Sequence, residues 1–124
     1  MPTTEADSRH LLQRCCQALD DKKAVEMRAL DVTGQSSITN YLVIATATST
    51  PHLKALRKAI EDVLKDEHVP KAGVEFSHDS GWLVVDAFEI MVHLFMPEQR
   101  DLFRLESLWK DARELDVQEL LAAH

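Results

Sequence analysis

The sequence predicts an α/β (α+β) domain: a mixed β-sheet with helices packed on one face. Three observations carry that expectation. Residues 41–46 (YLVIAT) are a short, nearly continuous apolar run with the β-branched content of a central strand. Residues 51–66 repeat apolar positions at helical spacing behind a capping sequence. Residues 82–96 hold two apolar runs close enough to form a hairpin. Helical and strand periods alternate along the chain, which points to helices layered on a sheet.

The elements follow in order. Residues 1–7 are polar and mildly acidic and read as a flexible start. Ser8 is a plausible N-cap for a helix over 8–20, with Leu11, Leu12, Cys15, Cys16 and Leu19 at helical spacing. Residues 24–32 alternate loosely and stop at Thr33-Gly34, which reads as a strand, although Ala24 and Glu26 leave a helical continuation open. After the strand at 41–46, Ser49-Thr50-Pro51 caps a second helix that places Leu53, Leu56, Ile60, Val63 and Leu64 on one face. Its interleaved Lys54, Arg57, Lys58, Glu61, Asp62 and Lys65 read as a solvated face. A short strand is expected around Gly73 to Phe76, then the loop Ser77 to Gly81, then the hairpin. Pro97 and Glu98 open a last helical region with Leu102, Leu105, Leu108, Trp109 and Ala112. The single domain is expected to span 8–113, leaving 114–124 as a tail in which Asp116 could cap a short helix, VQELLAA.

Bulk properties narrow the function. A chain of 124 residues with 45% hydrophobic content suits one self-sufficient core. No apolar run is long enough to cross a bilayer and the first ten residues lack a signal peptide's cationic and apolar regions, so a cytoplasmic protein with no membrane partner is expected. Six His and two Cys recur at no zinc-ligand spacing, so neither a metal nor another cofactor is expected. Cys15 and Cys16 are adjacent on a helix, where their side chains diverge, and are expected as buried, reduced thiols. The net charge of −7 argues against a binder of nucleic-acid phosphates and suits a basic protein partner, although acidity mostly signals solubility.

The hairpin offers the best candidate site. With a two-residue turn closed by Asp86 and Glu89, Val84 would pair with Met91 and Trp82 with His93. Alternation then puts Leu83, Val85, Ile90, Val92 and Leu94 on an aliphatic face under the helices. Trp82, Val84, Asp86, Met91, His93 and Phe95 share the other face, an aromatic and sulfur-bearing patch with polar members suited to a protein interface. The competing reading is that Trp82 and Phe95 pack beneath the tail or the Ser77–Gly81 loop, and that His93 is a hydrogen-bonded structural residue. Asp86 and Glu89 lie near each other, but no nucleophile accompanies them, so no catalytic residue is assigned.

Several stretches resemble the Iojap/RsfS family of ribosomal silencing factors. These are ALDDKKAVEMRALDV, SSITNYLVIATATSTPH and GWLVVDAFEIMVHLFMPEQRDLFRLESLWKDA, covering roughly 10–112. Asp21-Lys22-Lys23, Leu30-Asp31-Val32, Ser36-Ser37-Ile38, Trp82, Val92-His93 and Leu105-Glu106 with Leu108-Trp109 occur together, in order and at matching spacing. Ala87-Phe88-Glu89 departs from the family's usual glycine and aspartate in the hairpin turn, and Phe76 stands where glycine is common. The resemblance implies a non-enzymatic protein with a fold similar to nucleotidyltransferases but without their catalytic residues. It implies attachment to the large ribosomal subunit through the ribosomal protein numbered fourteen, steric exclusion of the small subunit, and repression of translation.

Two other readings compete with this one. A metal-dependent nucleotidyltransferase needs closely spaced carboxylates on the strand after a Gly-Ser loop. Gly34-Gln35-Ser36-Ser37 resembles such a loop, but residues 41–48 (YLVIATAT) contain no Asp or Glu. A homodimer using the same hairpin patch is the other alternative, because an exposed apolar face can pair with its own copy.

Overall fold

A computed structural model describes residues 5–32, 40–69, 73–77, 82–87, 90–97 and 113–122, with backbone only at 5–8, 73–77, Trp82 and Ala122. Helix α1 (Glu5–Asp21) begins three residues before the predicted cap Ser8 and buries all five predicted positions, Leu11, Leu12, Cys15, Cys16 and Leu19. Strands β1 (Val25–Asp31) and β2 (Tyr41–Thr46) follow, and every residue of β2 is buried. Helix α2 (Thr50–Asp66) is capped by the Ser49 hydroxyl, which accepts the His52 N–H at 3.2 Å, with Pro51 in its first turn. It buries Leu53, Leu56, Ile60, Val63 and Leu64 as the periodicity requires, along with Ala59. Its outer face carries the pairs Arg57–Glu61 and Lys58–Asp62, one turn apart and open to water.

Strands β3 (Gly73–Ser77), β4 (Trp82–Asp86), β5 (Ile90–Phe95) and β6 (Arg113–Leu115) and helix α3 (Val117–Ala122) complete the described elements. The sheet order is β3-β4-β5-β2-β1-β6. Only the β2–β5 pairing is parallel, so the sheet is mixed. Residues of all three helices join one face of this sheet in a single core that includes Tyr41, Val43, Leu83, Val85, Ile90, Val92 and Leu94. The fold is therefore the α+β layer predicted, with a strand, β6, where only a tail was expected. The last helical region falls mostly outside the described residues; Pro97 itself is helical.

Both long helices end in the same device. After α1, Lys23 N–H donates to the Asp20 carbonyl (2.9 Å) and Ala24 N–H to the Leu19 carbonyl (3.0 Å), with Lys23 at φ 63°. After α2, His68 N–H donates to Lys65 (3.2 Å) and Val69 N–H to Leu64 (2.8 Å), with His68 at φ 58°. These are Schellman motifs, in which left-handed backbone lets two late amides satisfy carbonyls the helix leaves open. Glycine is absent from both positions, so each carries the Cβ penalty of that region. Glu26, at φ 51°, marks a bulge in β1: Glu26 and Met27 lie between the pairs Val25–Thr46 and Arg28–Ile44.

Candidate functional site

The hairpin register differs from the prediction. Ala87 N–H donates to the Ile90 carbonyl at 2.9 Å, so the turn is closed one residue later on each strand than expected. Trp82 pairs with Phe95, Val84 with His93 and Asp86 with Met91, in place of Trp82 with His93 and Val84 with Met91. The physical reason is burial. In this register Leu83 faces Leu94 and Val85 faces Val92, and Ala87 joins the helix-covered core. The shift moves partners by two positions, so the assignment of side chains to faces survives it.

On the second face of the sheet, β1, β2 and β5 bring together a cluster of their own. Leu30, Val32, Leu42, Ile44 and Phe95 form a second buried cluster, against which Met91 packs half-buried. Among the described residues, no helix contributes to this cluster. Phe95 is 0% exposed and His93 7% exposed, with their rings stacked at 6.3 Å and 11°. These two candidate site residues are thus interior, which corrects the expectation that they present themselves on an open patch. Burial lowers the His93 pKa to about 4, so its ring is neutral at neutral pH. Among the candidate residues whose side chains are described, the accessible ones are Val84, Asp86 and Met91, all half-buried. Asp86 lies opposite Met91, and Val84 is two positions from Asp86 on the same face, so the three are contiguous. The Trp82 backbone extends this row, while its side chain and Glu89 lie outside what the structure describes.

This arrangement can bury apolar contact area around a carboxylate. The thiols offer no chemistry at the surface: Cys15 and Cys16 are free and buried in the core. Desolvation raises both pKa values, that of Cys16 to about 12. Among the described residues, no three His, Cys, Asp or Glu side chains converge as a metal site would require, and no helix is long and apolar enough to cross a membrane.

Three structural connections escaped the sequence reading. His52 bridges distant turns: its Nδ1 accepts the Thr48 N–H at 2.9 Å and its Nε2 lies 2.7 Å from the Lys22 carbonyl, so Nε2–H is the donor. Arg14 joins α1 to the end of α2 through Asp66 (3.0 Å) and Glu67 (3.2 Å), and His10 reaches Glu67 at 2.7 Å. Arg28 of β1 grips Glu114 of β6 with both Nε and Nη2. Only the tail had a local signal. Asp116 caps α3, its Oδ1 accepting Gln118 and Glu119 N–H at 2.9 and 3.3 Å, while Leu115 and Leu120 hold the N′ and N4 positions of a hydrophobic staple.

The family model described as "Ribosomal silencing factor during starvation" matches residues 5–124. The chain is 33% identical over 113 residues to the ribosomal silencing factor RsfS of Zymomonas mobilis, covering 91% of this chain and 85% of that protein. It is 32% identical over 94 residues to the mouse protein named mitochondrial assembly of ribosomal large subunit protein 1, covering 73% of this chain and 41% of the mouse protein. A crystal structure of a Chromobacterium violaceum protein superposes with a TM-score of 0.79 at 28% identity, covering 89% of this chain and 88% of that one. By sequence match over nearly its whole length, supported by the shared fold, this chain belongs to the RsfS family of ribosomal silencing factors.

Proposed function

We propose that this protein represses translation by occupancy: it binds the large ribosomal subunit at the intersubunit face, through the ribosomal protein numbered fourteen, and sterically blocks joining of the small subunit. The observation that carries the reading is the family match across residues 5–124. The mouse relative, whose name places it in large-subunit assembly, supports the choice of subunit. On the chain itself, the contiguous Val84, Asp86 and Met91 patch supplies apolar area around a carboxylate, and the net charge of −7 favours a basic partner. The protein works in the cytoplasm, alongside ribosomes, and needs no catalytic step, because an occupied docking surface excludes its competitor by volume alone.

The test is sedimentation of the purified protein with separated subunits. It should comigrate with large subunits and not small ones, and should lower assembly of whole ribosomes in proportion to large-subunit occupancy without added nucleotide. Comigration with neither subunit, or inhibition that requires a nucleoside triphosphate, would overturn the proposal.

A further inference from the structure

Among the described residues, the end of the chain is joined to the domain through one strand edge and a short helix. Strand β6 has three residues and, among the described residues, touches the sheet on one side, pairing Arg113, Glu114 and Leu115 with Asp31, Leu30 and Ala29. Helix α3 has six residues, too few to persist in water on its own. Both depend on the same seats: Leu115 and Leu120 are buried in the main core, with Val117 and Leu121 packed partly against it. From outside, the Arg28–Glu114 clasp is solvent-exposed and adds little on its own. A cleft of about 450 Å³ lies between Met27 and residues Glu114, Leu115, Asp116, Val117 and Gln118, where β6 turns away from the bulged start of β1.

We infer that residues 113–122 form a releasable strap, which opens as one cooperative unit while the rest of the domain stays folded. One unit follows from the shared seats: withdrawing Leu120 removes the docking that keeps α3 helical, and losing α3 removes the cap and staple that hold Leu115 in place. The rest survives because β1 remains paired along its other edge with β2, from Val25–Thr46 to Asp31–Tyr41. Opening frees the backbone edge of Ala29 to Asp31 and uncovers the seats of two leucines. A regular edge of this kind is what strand addition uses. The inference is independent of the proposed ribosomal role, since it concerns how the fold opens and not what it binds.

Native-state hydrogen exchange on the full chain, followed against low concentrations of urea, tests it. The reporters are the amides of β6, those of Ala29 and Asp31, which alternation turns toward β6 while Leu30 and Val32 face β2, and Gln118, Glu119 and Leu120, the last of which donates to the Asp116 carbonyl. Those that are protected should share one opening rate that is faster and less urea-dependent than that of β2 and β5. Leu120→Ala should speed all of them together by roughly tenfold or more and leave β2 and β5 unchanged. Glu114→Gln, on the exposed rim, should act in the same direction by about two- to fivefold and reports even if Leu120→Ala does not fold. The inference fails if the reporters exchange only with global unfolding. It fails equally if either variant speeds α3 without β6, because two independently fraying pieces are not a strap.

Discussion

His93 carries its charge state as a consequence of where its ring sits. Stacked on Phe95 and desolvated, it resists protonation down to about pH 4, whereas in the unfolded chain it takes up a proton near 6.5. Between those values the unfolded state binds more protons, so stability rises with pH through the window and is level above 6.5. Lowering the pH from 6.5 to 5 should therefore cost about 1.5 kcal/mol beyond what a His93→Gln variant loses. Urea midpoints for the two proteins at several pH values would check this, and parallel curves would show that another group is responsible. Glu114, whose pKa is lowered chiefly by the hydrogen bond from Arg28, has its stabilising contribution intact above its ordinary value of 4.5 and loses it only as the pH falls further. A second residue-scale expectation concerns the helix ends. His68→Gly removes a Cβ from left-handed backbone, and should stabilise the fold by about 0.5–1 kcal/mol after the unfolded-state entropy of glycine is set against it. His68→Val should lower the melting temperature, since a β-branched side chain tolerates that region poorly.

At the level of elements, strand β4 separates fold from function because neighbouring residues point to opposite faces. Leu83 is fully buried in the helix-covered core, so Leu83→Ala should leave a cavity costing ~2–5 kcal/mol of stability. Val84 is half-buried beside Asp86, and Val84→Lys should set a cation against the proposed basic partner. Its binding to large subunits should weaken by roughly tenfold or more, equivalent to about 1.4 kcal/mol, with little change in melting. Thermal melts and subunit binding for both variants decide the matter; normal binding by folded Val84→Lys would move the interface elsewhere. The faces of this hairpin were readable from alternation alone. Its register was not, because two registers that differ by a two-position slip give every side chain the same face. What chose between them was the fit of aliphatic side chains across both strands and the helices above.

The whole molecule adds long-range charge. With a net charge of −7, association with a basic protein surface should be steered electrostatically, so raising salt from low to physiological levels should slow the association rate far more than it speeds dissociation. Rates measured against immobilised large subunits at several salt concentrations would show it, and a salt-independent association rate would argue for an uncharged docking surface.

Local physics is legible in the sequence by itself. The helical period of Leu53 to Leu64, the Ser49 and Asp116 caps, the buried run from Tyr41 to Thr46 and the two faces of the hairpin all arise from residues within a few positions of one another. Tertiary structure decided the rest. It paired residues 113–115 with β1 and withdrew Phe95 into a second cluster with Leu30, Val32, Leu42 and Ile44, with buried His93 stacked on it, leaving Val84, Asp86 and Met91 as the accessible members among the described side chains of the candidate site. Periodicity fixes which way a side chain points, but burial depends on a second surface brought from elsewhere in the chain, and no local pattern records its arrival.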